Sequence, residues 1–252
     1  MKSKEGIIEM KKMYYQEMLP YELEKILETR PVAFLPLGTL EYHGPHLPVG
    51  NDAIKSEGIC ERVCKRTGGV IVPTLYWGIG GGHKNYPASI IIRDKILSEL
   101  LTDILEGLYR VGFRIYIILT GHYPAEQVEV VKKASYKFRK NHKNVFIWAL
   151  PEFEAFTNKS CRDHAAKWET SILMYLYPKL VDMRKLIGAN SPDAPDNTRN
   201  IDEMNIPGPL YGILGENPAK YASKKLGKET VDTIVNNIAY WVNKSLKKLR
   251  YD

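Results

Sequence analysis

Between Gly38 and Asp52 the chain reads GTLEYHGPHLPVGND, which brings Glu41, His43, His46 and Asp52 together in a stretch broken by three glycines and two prolines. Carboxylate oxygen and imidazole nitrogen are the donors that a divalent ion such as zinc takes. The prolines and glycines exclude a regular helix or strand, so the donors sit on an irregular backbone. Each residue also has an ordinary reading. Glu41 alone is a surface carboxylate, Asp52 a helix cap, and the two histidines are loop hydrogen-bonders. Taken together, Glu41, His43 and Asp52 read as metal ligands, whereas His46, set between Pro45 and Pro48, reads as structural.

Two further loops carry histidine. One begins Thr120-Gly121-His122, and the other runs Gly78-Ile79-Gly80-Gly81-Gly82-His83. Five of the six histidines fall in these loops or in the segment DHAAKWET, with His142 the exception. The glycine run lacks the Lys-Ser/Thr of a phosphate-binding loop and does not open onto a helix. It reads instead as a flexible substrate-side loop that holds His83 near the site. Cys60 and Cys64 lie one helical turn apart and read as a buried face, and Cys161 has no partner by spacing and reads as inert.

Alternating periodicities show how these loops are positioned. Leu19–Thr29 has helical spacing, and Val32–Leu37 reads as a strand that ends in the ligand-rich loop. Asp52–Arg66 is amphipathic, with Asp52 at the expected N-cap. Val70–Leu75 reads as a second strand, and Asp94–Val111 as a long helix capped by Asp94. A third strand, Arg114–Thr120, delivers His122. Pro124–Asn141 is helical with Pro124 in its first turn, and Val145–Leu150 is a fourth strand. Helices over Trp168–Tyr177 and Gly227–Leu249 complete the pattern. Strands separated by such helices predict a parallel sheet covered on both faces, with ligands at the carboxyl ends of the strands. From about 187 to 226 the periodicity dissolves into Pro, Gly, Asn and Asp, which predicts a lid, a site wall or an oligomer contact.

Composition narrows the class. At 252 residues and 44% hydrophobic, the chain can bury one large core or two small ones. The charged N-terminus lacks a signal peptide's apolar core, and the apolar runs fall well short of the roughly twenty residues that span a bilayer. With three scattered cysteines, a soluble, cytoplasmic protein with no membrane partner is expected. The formal charge of +7 is spread along helix-like stretches with no aromatic-interleaved basic stripe, which argues against a nucleic-acid partner.

The segment LPLGTLEYHGPHLPVGND resembles the signature of the creatininase family of metal-dependent amidohydrolases, roughly PxGxxEQHGPHLPxxxD. HKNYPAS resembles that family's His-x-x-Phe-Pro-Gly-Thr, LTGHYP its Asn-Gly-His segment, and DHAAKWETS its His-Ala-Gly-x-x-Glu-Thr-Ser. Order and spacing agree from residue 19 to about 183. The resemblance implies a single domain over 1–252, a three-layer α/β/α sandwich with a mostly parallel central sheet, and one or two divalent ions (Zn, Mn or Fe). Glu41, Asp52 and His122 would hold the first ion. His43 and the bridging Asp52 would contribute to the second. Where creatininase completes the second site with a glutamate this chain has Pro124, and Glu169 is the local substitute. His164 falls on the family's catalytic histidine and is the expected proton shuttle. His83, Tyr123 and Trp168 are expected to touch substrate, although the two aromatics are equally consistent with core. Other departures are Tyr42 for Gln, Ala88 for Gly, Thr120 for Asn, and Ala166-Lys167 for Gly-Glu. Lys167 favours an anionic substrate if it faces the metals.

The implied activity is hydrolysis of a C–N amide bond in a small amide, cyclic amides such as creatinine or related compounds included, with hydroxide supplied by the metal. A bound ion lowers the pKa of water to about 7, and a general acid must protonate the leaving nitrogen. A formamide hydrolase acting on a ribosylaminopyrimidine-type intermediate is the alternative within the family. A non-catalytic metal-binding scaffold is the alternative outside enzymes. Resemblance also implies a ring-like or dihedral homo-oligomer, hexamers included.

Overall fold

The computed structural model describes residues 12–156 and 161–249, so the reading of residues 1–11 lies outside the described residues. Helix α1 (Pro20–Leu27) precedes strand β1 (Val32–Leu37), which is followed by α2 (Asn51–Thr67) and the short β2 (Val70–Ile71). Then come α3 (Asp94–Val111), β3 (Ile115–Thr120), α4 (Ala125–Asn141) and β4 (Phe146–Pro151), followed directly by α5 (Glu152–Phe156) and then α6 (Lys167–Leu176). The sheet order is β2-β1-β3-β4, and every pairing in it is parallel.

Alternation along the central strands builds the three layers, because successive side chains leave opposite faces of a sheet. Val32 and Phe34 of β1, with Ile115, Ile117 and Leu119 of β3, pack against α2, α6 and the long C-terminal helix α9 (Lys224–Leu249). Ala33, Leu35 and Leu37, with Tyr116 and Ile118, face α3 and α4 on the other side. Helix α3 meets this face through Leu97, Leu101, Leu105 and Leu108, a single apolar stripe at helical spacing. The architecture is the expected α/β/α sandwich.

Several local expectations need correction. The second strand stops at Ile71 rather than Leu75. Pro73 has no N–H to give to the ladder, and pairing resumes only at the isolated Leu37–Leu75 bridge. Asp52 is not the cap of α2; Gly50 holds that position. Arg93, not Asp94, precedes the first turn of α3, and Pro124 sits at the N-cap of α4 instead of inside its first turn. The stretch from 187 to 226 contains short elements that its composition hid: β5 (Asn197–Thr198), α7 (Ile201–Met204), β6 (Gly215–Glu216) and α8 (Pro218–Tyr221). Leu186, Ala189, Leu210 and Ile213 pack with Leu47, Ala165, Ala166 and Leu173, fastening the segment onto the body of the domain.

Two glycines bring α2 against the strand ends. A Cβ on Gly38, just past β1, would lie 2.1 Å from Ala53 N, and one on Gly121, just past β3, would lie 2.2 Å from Asp52 O. No other residue permits this approach without moving the backbone, and the approach is what drives the first turn of α2 between the strand ends. Gly38→Ala or Gly121→Ala should each lower stability by roughly 3 kcal/mol, read as a fall in the urea midpoint at unchanged m value. A loss below about 0.5 kcal/mol, the range of surface substitutions, would show that α2 can move away freely.

Candidate metal centre

The site lies at the carboxyl edge of the sheet, where three strands deliver Glu41, His122 and Glu152 and α2 delivers Asp52. All four side chains are buried. A buried carboxylate is costly unless a cation or several donors face it, so the partners of each define the chemistry.

His122 Nε2 lies 3.0 Å from the Ile79 carbonyl, which leaves Nδ1 at 3.1 Å from Asp52 Oδ2 and 3.1 Å from Glu41 Oε2. A carbonyl holding one ring nitrogen so that the other faces a cation site is the usual way a ligating histidine is oriented. His43 has the same arrangement. Its Nδ1 lies 2.9 Å from the Glu41 carbonyl, and its Nε2 lies 2.8 Å from Asp52 Oδ1 and 3.5 Å from Glu169 Oε2. Both nitrogens of each ring face oxygen acceptors, an arrangement that among protein partners alone only an imidazolium satisfies. Burial alone would lower both pKa values, but Asp52 leads the carboxylates that raise His43 to about 9, and Glu41 leads those that raise His122 to about 10.

Glu41 is the exception to this pairing. Its Oε1 is 2.7 Å from His83 Nδ1, yet neither carboxylate oxygen has an aligned hydrogen-bond donor. Buried polar atoms left without a partner call for an ion or water. Glu41, Asp52 and His122 place one donor atom each within 4.8 Å of one another. Two carboxylates and an oriented imidazole, with orphaned oxygens turned inward, fit a divalent cation of the zinc, manganese or iron type.

His164 adjoins this triad without joining it. Its Nε2 lies 2.8 Å from the Tyr42 carbonyl, and its Nδ1 lies 3.9 Å from Glu41 Oε2. The ring stacks on His83 with centroids 3.8 Å apart and approaches His43 at 4.3 Å. Burial and then the neighbouring His43 lower its pKa to about 4, so the ring is neutral at pH 7. A backbone bridge to Leu214 (His164 N to Leu214 O at 2.7 Å) ties it to the irregular segment. Ala165, next in the chain, is held at a φ of 53°, left-handed for a residue with a side chain, and its N–H donates to Glu169 Oε2 at 2.7 Å.

A cavity of about 400 Å³ is lined by Glu41, Asp52, His122, His164 and Glu169, within the range of small-molecule sites. His83, Gly81 and Gly82 form one wall, Tyr123 and Pro124 another, and Ile201, Met204 and Leu214 bring the 187–226 segment over the top. Trp168 is not among the residues that line this cavity, contrary to expectation. Successive helix positions turn by about 100°, so aiming Glu169 of α6 inward sends Trp168 outward, where it packs on Phe156 at 5.6 Å. Lys167 is likewise turned away, 2.9 Å from Glu216. Tyr123 lies on the wall with its hydroxyl 2.8 Å from Asp163 O and 2.9 Å from Glu169 Oε1. His46 is buried with Nε2 at 2.9 Å from Thr170 Oγ1, a structural position. Its pKa falls to about 3, chiefly through burial.

Three buried residues escaped the sequence reading. Lys55 lies three residues after Asp52 on α2, Glu152 opens α5 directly after β4, and Asp163 precedes His164. Lys55 Nζ donates to Glu169 Oε1 at 2.7 Å, Gly121 O at 2.9 Å and Glu152 Oε2 at 3.0 Å. A signal for it existed: Asp52, Lys55, Ser56, Ile59 and Val63 form the buried stripe of α2, so this lysine falls where the helix faces the core. Asp163 accepts from Trp168 N at 2.7 Å and Glu169 N at 3.3 Å, and so anchors the first turn of α6.

A parallel sheet whose strand ends hold a carboxylate–imidazole cation site inside a cavity defines a metal-centred α/β enzyme. The chain belongs to the creatininase family, described as creatinine amidohydrolase, whose profile matches residues 16–242. It is a hydrolase of that family. It is 27% identical over 232 residues to the creatinine amidohydrolase of Pseudomonas putida, covering 82% of this chain and 87% of that one. It is 28% identical over 240 residues to the 3-dehydro-scyllo-inosose hydrolase of Thermotoga maritima, covering 87% and 76%. The mycofactocin precursor peptide peptidase of Mycobacterium ulcerans is 24% identical over 226 residues, covering 84% and 86%. Among solved structures, a crystal structure of creatinine amidohydrolase superposes with a TM-score of 0.75 at 25% identity, covering 93% of this chain and 98% of the other. A structure described as "Creatininase Mn" matches with the same score, identity and coverage.

Asp52→Ala should abolish metal retention, because it removes the carboxylate that both His43 and His122 face; full metal content in the purified variant would refute the site. Loading should also expel a proton, since ligation needs the neutral form of His122. Apparent affinity should rise about tenfold per pH unit from pH 7 towards the raised His122 pKa, measured by calorimetry in buffers of different ionisation enthalpy. The sign for the metal-free fold is the reverse. The contribution of the two raised histidines is complete below their unfolded value of about 6.5 and is lost as pH climbs through about 9 and about 10.

Proposed function

We propose that the protein is a metal-dependent amidohydrolase that cleaves the C–N bond of a small amide, cyclic amides of the creatinine kind included. The observation that carries this reading is the neutral His164, its Nδ1 turned towards Glu41 at 3.9 Å in the wall of a cavity that the Glu41–Asp52–His122 triad also lines. A divalent ion bound by the triad supplies Lewis acidity towards water and towards a substrate carbonyl.

The chain's own residues account for the remaining requirements. His164 is fixed as the tautomer with its proton on Nε2, because that nitrogen donates to the Tyr42 carbonyl. Its Nδ1 lone pair therefore points into the cavity and can take a proton from the attacking water. The same nitrogen then returns that proton to the departing nitrogen, which is a poor leaving group until protonated. With a pKa of about 4 the ring is present in its accepting form across neutral pH, and the imidazolium formed by proton transfer lies close enough to Glu41 to be stabilised by it. His83 stacks on His164 and fixes the ring plane. Ile201, Met204 and Leu214 keep bulk water from the reacting groups. Arg162 and Glu126, also part of the lining, offer charges of both signs to a polar substrate.

The similarity to creatinine amidohydrolase over most of both chains supports C–N hydrolysis, and the hydrolase and peptidase relatives mark how far substrates diverge among similar chains. His164→Ala should keep its metal and lose about 100- to 10,000-fold in kcat, measured on the best substrate from a panel of cyclic amides and formamides. Unchanged turnover would remove His164 from the mechanism.

A further inference from the structure

The first triad includes Glu41, neither of whose oxygens has an aligned donor, whereas the His43 and Glu169 donors that could hold a second ion are paired within the protein. Glu169 Oε1 accepts from Lys55 Nζ at 2.7 Å and from the Tyr123 hydroxyl at 2.9 Å, and Oε2 accepts from Ala165 N at 2.7 Å. His43 Nε2 rests on Asp52 Oδ1 at 2.8 Å. Pro124, in the cavity wall two residues after His122, presents only carbon. Among the described residues, the site's carboxylate oxygens without an aligned donor are the two of Glu41, and these belong to the first triad.

The Lys55 side chain is fully buried. Its nitrogen has three acceptors, at 2.7, 2.9 and 3.0 Å, and a fourth oxygen, Asp52 Oδ1, at 4.0 Å. Three acceptors use the three N–H bonds of an ammonium, whereas a neutral amine would turn its lone pair on one of them. A fixed positive charge therefore sits among Asp52, Glu152 and Glu169. A divalent ion bridging from Asp52 to Glu169 would have to share that space with it, at close range and out of water, where like charges repel strongly. Two other groupings remain. In the first, His43 with His164 and Glu169, the His43 Nε2 and both Glu169 oxygens are committed to the contacts above. The second, Glu41 with His83 and His164, is poorly disposed to ligate. The two rings stack at 27°, so their in-plane lone pairs run side by side and do not converge on one point.

We infer that this chain holds one divalent ion, at Glu41–Asp52–His122, and that the Lys55 ammonium stands in the place of a second. The inference rests on the metal-centre reading above and concerns the count of ions, not the reaction. Lys55 is a positioning residue: it neutralises Glu152 and Glu169 and holds Glu169 against Ala165 and Tyr123, beside His164.

The test is metal stoichiometry on the full-length protein, stripped and then reloaded with excess Mn²⁺ or Zn²⁺. Elemental analysis and native mass spectrometry should give one ion per chain, and Mn²⁺ electron paramagnetic resonance should show the six-line pattern of an isolated ion. Lys55→Ala frees three carboxylates and should take up a second ion, raising the count from one to two with a spin-coupled Mn²⁺ spectrum. Two ions in the unmodified protein, or a folded Lys55→Ala that still takes one, would overturn the inference and leave the metal-centre reading intact. No ion in the unmodified protein would defeat both. Should Lys55→Ala fail to fold, the stoichiometry and spectrum of the unmodified protein decide the question alone.

Discussion

Gathering Glu41, Asp52, Glu152, Asp163 and Glu169 at one sheet edge, out of contact with water, sets a charge-compensation problem on which the rest of the site depends. Isolated buried carboxylates are not tolerated, and the structure resolves them in two ways. Asp52 and Glu169 are paired, the first with His43, His122 and Lys55 and the second with Lys55 and His43. Those cations outweigh burial and hold both carboxyls below their ordinary range. Glu152 and Asp163 move the other way. Burial raises Glu152 to about 7 despite Lys55, and burial together with Glu169 raises Asp163 well above a usual carboxyl. Burial would raise Glu41, but His164 and His122 hold it well below its ordinary range as well; it differs from Asp52 and Glu169 in that its oxygens have no aligned donors. A divalent ion would supply what the protein leaves unmade there.

This compensation requires backbone from distant parts of the chain to meet within a few ångströms. Gly38 and Gly121 let the first turn of α2 descend between two strand ends, which carries Asp52 to the histidines and Lys55 to the glutamates in one movement. Asp163 fixes the start of α6 through the amides of Trp168 and Glu169, and so aims Glu169 inward. The His164–Leu214 bridge then attaches the irregular segment to His164 itself. Cavity roof and imidazole are therefore one mechanical unit, and a change in the packing of Leu210 or Ile213 would be felt at the ring.

Sequence reasoning recovered what depends on period and composition. The alternating strand residues Val32–Leu37 and Ile115–Thr120, the apolar stripe of α3 and the donors grouped at strand ends were all legible, because each signal lies within a few neighbouring residues. The misses were long-range. Trp168 was expected at the substrate, with the core as its equal alternative; it adjoins Glu169 in sequence, yet a helix turns neighbours to different sides. The short elements between 187 and 226 are held by contacts with α6 and by backbone bridges, so propensity could not reveal them. Lys55 was hidden by composition: in a chain with 36 lysines and arginines, one more base looked like solvated surface. Its position on the buried stripe of α2 was the available clue.

An ammonium and a divalent ion do different work in the same place. Each neutralises Asp52 and Glu169 and fixes their orientation, but an ammonium has no coordination position to offer water or a substrate oxygen. It also directs three hydrogen bonds at fixed angles and cannot exchange its ligands. With Lys55 there, the Lewis-acid function would fall to an ion at Glu41–Asp52–His122, and the proposed proton-handling function to His164. The glutamate pair on the far side of Lys55 becomes a rigid support, not a second reaction centre. On the one-ion reading, substrate would bind with its carbonyl towards Glu41 and its leaving nitrogen towards His164. Its far end would then meet Pro124, Arg162, Ile201 and Met204, and the shape and charge of that wall would decide which molecule fits.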